Sequence, residues 1–129
     1  MAEIPQDLKY TADHEWVQSV GPGTVRVGVT SHATEQLGDI VFVSLPAVGT
    51  RLGAGDACAE LESTKSVSDV FAPLDGVIAA INEELSDAPE TINAEPFGDG
   101  WLFEMGLDDP DSALDGLLDA ATYQSVLED

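Results

Sequence analysis

Lys65 is the residue whose type and setting could do chemistry. It stands in Glu62-Ser63-Thr64-Lys65-Ser66, between two runs that alternate with a period of two: Ala57-Cys58-Ala59-Glu60-Leu61 before it and Val67-Ser68-Asp69-Val70-Phe71 after it. Such flanks predict a hairpin with Lys65 at its tip. A lysine there projects its amine into water, where a modifying enzyme can reach it. The plainer alternative is a solvated lysine paired with Glu62, a common and weak arrangement. For a surface lysine that pairing is the ordinary outcome, even in a chain where Lys and Arg together number 4 against 25 Asp and Glu; the flanking pattern is what reverses it.

Little else in the chain is suited to catalysis. Cys58 is the one cysteine, so there is no intramolecular disulfide and no cysteine-based metal cage. Alternation sets it beside the Ala57/Ala59/Leu61 face, and a reactive thiol role is a weak alternative to packing. His14 and His32 lack ligand spacing. No nucleophile–base motif and no Gly-rich phosphate loop occurs; Gly49 and Gly53-Ala54-Gly55 read as turns. The sequence looks like a carrier and not like a catalyst.

The elements that must position Lys65 are mostly short strands. Trp16–Val20 breaks at Gly21-Pro22-Gly23 and pairs with Thr24–Val29, whose valines point inward. Thr30 or Ser31 is expected to cap a short helix that Gly38 ends. Ile40–Leu45 is the strongest strand, stopped by Pro46. Pro46-Ala47-Val48-Gly49 and Pro73-Leu74-Asp75-Gly76 form a faint repeat on either side of Lys65, suggesting two similar halves of a flattened barrel. Gly76–Asn82 is another strand. A short helix is expected over Ser86–Asn93, capped by Ser86 or Asp87 with Pro89 in its first turn. Gly98-Asp99-Gly100 turns into a strand at Trp101–Met105. Asp108-Asp109-Pro110-Asp111 is a breaker and helix start. Leu114, Leu117 and Leu118 form an apolar stripe at helical spacing, and Asp119 should cap a final helix through Tyr123.

A chain of 129 residues suits a single domain, residues 1–129, with a barrel core over about 14–106 and C-terminal helices over about 111–127. No apolar run approaches the ~20 residues of a membrane span. The acidic N-terminus has no signal-peptide or transit-peptide character. A cytoplasmic protein is expected, or a mitochondrial matrix one if a presequence has been removed. The net charge of −21 argues against nucleic acid and against anionic membranes. It serves solubility, and it also suits adaptation to high salt. A monomer is the default expectation.

Beyond Lys65, many fragments occur in order: His14-Glu15-Trp16, Val27-Gly28-Val29-Thr30, Leu37-Gly38-Asp39-Ile40-Val41-Phe42-Val43, Ser68-Asp69-Val70-Phe71-Ala72-Pro73, Pro96-Phe97, Gly100-Trp101 and Leu117-Leu118-Asp119-Ala120. Together with Glu62-Ser63-Thr64-Lys65, matching a Glu-Ser-x-Lys motif, these resemble the glycine cleavage system H protein family over nearly the whole chain. The resemblance implies a mainly β fold: a flattened β-barrel or barrel-sandwich hybrid of the lipoyl/biotinyl-carrier type, with short peripheral helices and a C-terminal helical segment. It implies (R)-lipoate on Lys65, with Glu62, Ser63 and Thr64 as the attachment motif.

In that family the arm accepts an aminomethyl group from a pyridoxal-phosphate glycine decarboxylase. It delivers the group to a tetrahydrofolate-dependent aminomethyltransferase, and an FAD-containing dihydrolipoyl dehydrogenase reoxidises it. Lipoate-attaching enzymes are further partners. Glu15 and Asp69 match polar groups near the parking place of the loaded arm, while Asp13 stands where other members can carry serine. Biotin carriers place the lysine between methionines, and 2-oxoacid dehydrogenase lipoyl domains read Asp-Lys-Ala; neither pattern is present. A lipoate relay, handing the lipoyl group to other enzymes, is the alternative.

Overall fold

The structure, a computed structural model, describes residues 5–108 and 113–128. The expected breaker and helix start at residues 109–111 lies outside them. In chain order the strands are β1 (Lys9–Tyr10), β2 (Glu15–Gly21), β3 (Thr24–Val29), β4 (Ile40–Ser44), β5 (Arg51–Leu52), β6 (Ala57–Ser63), β7 (Val67–Phe71), β8 (Gly76–Ile81) and β9 (Phe103–Leu107). Helices α1 (Ser31–Leu37), α2 (Thr91–Ala94) and α3 (Ala120–Glu128) lie between and after them, with 3₁₀ turns at Glu83–Ser86 and Ala113–Gly116.

The strands make two antiparallel sheets: six strands in the order β1-β2-β3-β9-β8-β5, and three in the order β4-β6-β7. Period-two patterning drives this closure. Val25, Val27 and Val29 are buried from β3, Val43 from β4, Leu61 from β6, Val70 from β7, Ile78 from β8 and Phe103 and Met105 from β9, in one shared core. This is the mainly β, barrel-sandwich architecture expected. On the polar side of β3, Arg26 pairs with Glu104 directly across the ladder at 2.8 Å and lies over the Trp101 ring. A second cluster, Leu8, Tyr10, Trp16, Ala120 and Tyr123, seats α3 against β1 and β2.

The repeated Pro-x-x-Gly segments lead into β5 and β8, which pair with each other through Arg51↔Val77 and Leu52↔Gly76. Gly76 has to be glycine, because a Cβ there would collide with the Gly106 carbonyl.

Several expectations are corrected. Ser86 ends a 3₁₀ turn and α2 begins only at Thr91, with Glu90 as its N-cap and no side-chain cap bond. Pro89 accepts from Ile92 N–H within a run of tight turns, so it precedes the helix. The strand expected at Trp101 is assigned from Phe103, because the Trp101 carbonyl is taken by the Asn82 side chain. The Leu114/Leu117/Leu118 stripe is not one helix. A 3₁₀ turn ends at Gly116, and Leu118 exchanges backbone hydrogen bonds with Tyr10 as an isolated bridge. The caps at Thr30 and Asp119 are as expected, accepting from the N–H groups of Ala33 and Thr122.

Candidate functional site

Lys65 lies at the tip of the β6–β7 hairpin and is exposed. What holds the tip is Ser63. Its buried hydroxyl accepts from the N–H groups of Lys65 and Ser66, each at 3.1 Å, and donates to the Ser66 carbonyl at 3.1 Å. One donor and two acceptors exhaust a hydroxyl's capacity. The Ser63 N–H closes the turn onto the same carbonyl at 2.8 Å.

A second tie comes from outside the hairpin. Thr64 N–H donates to the Asp39 carbonyl at 3.2 Å. Asn93 fixes the segment around Asp39, its amide donating to Gly38 O and accepting from Ile40 N–H. Gly38 ends α1 at φ 83°, in the left-handed region that favours glycine. A Cβ built there would lie 3.7 Å from Lys65 Cε, so the lysine stem runs alongside this glycine. Among the described residues the ion pairs are Arg26–Glu104 and Arg51–Asp108; the pairing of Lys65 with Glu62 is not formed. Glu62 and Thr64 are both exposed.

Asp69 is exposed on β7, across from Glu60 on β6, and both line a groove of about 310 Å³ with Ser44 and Cys58. Glu15, unlike Asp69, lies inside the fold. It is 2 % exposed, and burial pushes its carboxyl up to about 7 despite two hydrogen bonds that favour the anion. Phe71 N–H donates to Oε2 at 2.7 Å and Thr11 Oγ1 donates to Oε1 at 3.1 Å. Because β7 is the edge of its sheet, this carboxyl from β2 occupies a backbone donor that no neighbouring strand can take. Glu15 also lines a cleft of about 320 Å³ that Tyr10, Thr11, Pro73 and Leu118 share. Asp69 and Glu15 therefore belong to different cavities, and Glu15 is tied to β7 two residues beyond Asp69. Asp13, the remaining family position, is exposed beside the Glu15 cleft.

Cys58 is half-buried against the core, its Sγ donating to the Val70 carbonyl. Burial, with Glu15 and Asp56 nearby, pushes its thiol up to about 12, so it carries no thiolate at neutral pH. A bulge across from Val70 and Phe71 breaks the alternation at Ala57, which is exposed and not on the inward face. The His14 and His32 rings are in contact, with centroids 4.6 Å apart and planes tilted by 42°. His14 Nδ1 is 2.8 Å from the Tyr123 hydroxyl, and its pKa is lowered by burial first and by His32 second. No group of three metal-ligating side chains occurs among the described residues.

Sequence reasoning missed the anchoring by Thr11 and Asn93 and the burial of Glu15. The Thr11-x-x-x-Glu15 spacing held a local signal, since Thr11 Oγ1 also accepts from Asp13 and Glu15 N–H. Asn93 acts across 53 and 55 residues and left none.

Comparison with known proteins joins these features to a family. The family model described as Glycine cleavage H-protein matches residues 8–129. The glycine cleavage system H protein of Nocardia farcinica is 55 % identical over 130 residues, covering 98 % of each chain. That of Idiomarina loihiensis is 54 % identical over 129 residues, covering 100 % of this chain and 99 % of the other. A crystal structure of a glycine cleavage system H protein from Mycobacterium marinum matches with TM-score 0.87 at 45 % identity, covering 97 % of this chain and 99 % of that one.

Proposed function

The chain belongs to the glycine cleavage H-protein family and is a carrier component of the glycine cleavage system, not a catalyst; from that premise we propose that Lys65 is its carrying residue, bearing (R)-lipoate in amide linkage. The observation that carries the proposal is an exposed amine, with no ion pair among the described residues, on a turn held in shape by the Ser63 hydroxyl. The residues present fit the group: Lys65 offers an exposed primary amine whose stem runs alongside Gly38.

When bound, lipoate supplies a dithiolane able to take up and release an aminomethyl group and to be reoxidised. The chain's own part is mechanical and electrostatic. Ser63 and Thr64 fix the base of the arm, so its reach is set by the arm alone, and tethering raises the cargo's effective concentration at each partner. Glycine decarboxylase, the aminomethyltransferase and dihydrolipoyl dehydrogenase are the proposed partners, and a lipoate-attaching enzyme the proposed source of the arm.

Glu15 and Asp69 are the proposed carboxylates for a cationic cargo. β7 rises about 3.3 Å per residue, so its four steps from Val67 to Phe71 put the donor that binds Glu15 roughly 13 Å along the strand. With its carboxyl near 7, Glu15 can meet an ammonium group by giving up its proton, whereas exposed Asp69 offers a charge at the surface. Intact-mass measurement after incubation with lipoate, ATP and a lipoate-attaching enzyme tests the attachment. One lipoyl increment on the wild type and none on Lys65→Arg is expected; an increment surviving in the variant contradicts the assignment.

A further inference from the structure

Among the described residues five large apolar side chains are exposed, and three of them, Val41 (52 %), Phe42 (56 %) and Val67 (57 %), lie on the three-stranded sheet beside the Lys65 turn. Single exposed apolar residues are ordinary, but clustering is not. The register explains the cluster. Phe42 faces Glu62 across β4–β6, and Glu62 faces Val67 across β6–β7, so the three form one rung on the outer face. Directly opposed side chains sit about 5 Å apart, which puts Phe42 and Val67 on either side of the Glu62 stem. The register shift between Ile40 and Phe42 lets Val41 reach solvent as well. The next rung, Ser44–Glu60–Asp69, is polar and acidic, and none of the three strands contains a lysine or arginine.

We propose that the Phe42–Glu62–Val67 rung, with Val41, is the docking surface for the enzyme that acylates Lys65, a partner presenting an apolar depression bordered by basic side chains. The inference rests on the lipoyl-attachment reading of Lys65 and adds the surface that reads it. Geometry selects this occupant. An enzyme forming the amide has to bring its own active site to Nζ, so its surface lies within one lysine side chain of the turn and covers the adjacent rung. An enzyme acting at the far end of a completed arm is under no such requirement to reach Nζ. Charge selects the partner's border, because Glu60, Glu62 and Asp69 face it with no compensating cation on the sheet. In the reaction the amide forms between Nζ and the acyl carbon of an adenylated lipoate. AMP leaves, and two of the three Nζ protons pass to AMP and solvent; no oxidant or reductant takes part.

The test is the initial rate of lipoate incorporation into apo-protein by a lipoate-attaching enzyme with lipoate and ATP, read by intact mass. The double variant Phe42→Ala/Val67→Ala should raise KM for the protein about tenfold, as removal of an interface anchor does, with kcat nearly kept. Val20→Ala/Val48→Ala, exposed elsewhere, should match wild type. Glu60→Lys, a second and purely electrostatic probe, should raise KM at low salt and lose that effect at high salt. Thermal midpoints close to wild type would show each variant folded. Wild-type KM in both the apolar and the charge variants, with wild type modified normally, overturns the proposal while leaving the attachment site intact. Failure of wild type to take up lipoate on Lys65 overturns the attachment reading and the docking surface with it.

Discussion

Glu15 is the side chain whose placement departs furthest from its type. A carboxyl at the edge of β7, shut from water, prefers its proton, and its folded pKa of about 7 lies above the ordinary 4.5. Between those values the folded protein holds a proton that the unfolded chain gives up. Stability from this group is therefore full below pH 4.5 and falls as pH rises to about 7, by on the order of 3 kcal/mol for the whole shift. Glu15→Gln keeps the shape without the titration, so the wild-type minus Glu15→Gln difference in unfolding free energy should decline across that window; parallel profiles would contradict the burial. Glu15→Ala should still accept lipoate yet lose its loaded one-carbon unit faster, measured as formaldehyde release, and an unchanged lifetime would remove Glu15 from the parking site. Because alanine also leaves Phe71 N–H without its acceptor, that comparison needs the glutamine variant beside it.

At the scale of elements, the β6–β7 hairpin works because its turn is braced from within and from α2. Ser63→Ala removes one donor and two acceptor contacts from a turn that water can partly reach. It should cost about 1 kcal/mol in denaturant unfolding and speed amide exchange at Lys65 and Ser66; unchanged exchange would mean Ser63 does not hold the tip. Packing between β2 and β3 is less forgiving. A Cβ at Gly28 would fall 2.6 Å from the Trp16 ring, so Gly28→Ala should destabilise by about 1–3 kcal/mol, read as a lowered thermal midpoint. Such elements were legible where one face is buried over several residues, as in β3 and β6. Two-residue strands such as β1 and β5 are too short to alternate, and their pairing is set by partners far along the chain. Leu114, Leu117 and Leu118 show the opposite failure, a helical spacing overridden when Tyr10 claims Leu118 as a backbone partner. The Lys65 tip could be read from its flanks. Its bracing by Asn93 and the burial of Glu15 could not, since both depend on contacts made only once the sheets close.

As a whole molecule the protein carries a net charge of −21, and its ion pairs among the described residues are few. Repulsion among so many carboxylates destabilises the compact state, and at 0.1 M salt it is screened beyond about 10 Å. The thermal midpoint should rise from low to molar salt; a flat dependence would remove repulsion as a factor in stability. The same charge would favour partners that present basic surfaces, and long-range attraction speeds encounter. A carrier among several enzymes needs a constant mount, a single amine and a surface those enzymes can find. Passage of the one-carbon unit through Lys65 is read out by glycine–bicarbonate exchange with a glycine decarboxylase, using lipoylated wild type and the Lys65→Arg variant. Exchange with the wild type and none with the variant is the predicted result. No exchange by wild type bearing confirmed lipoate on Lys65 would contradict it and favour a lipoate relay.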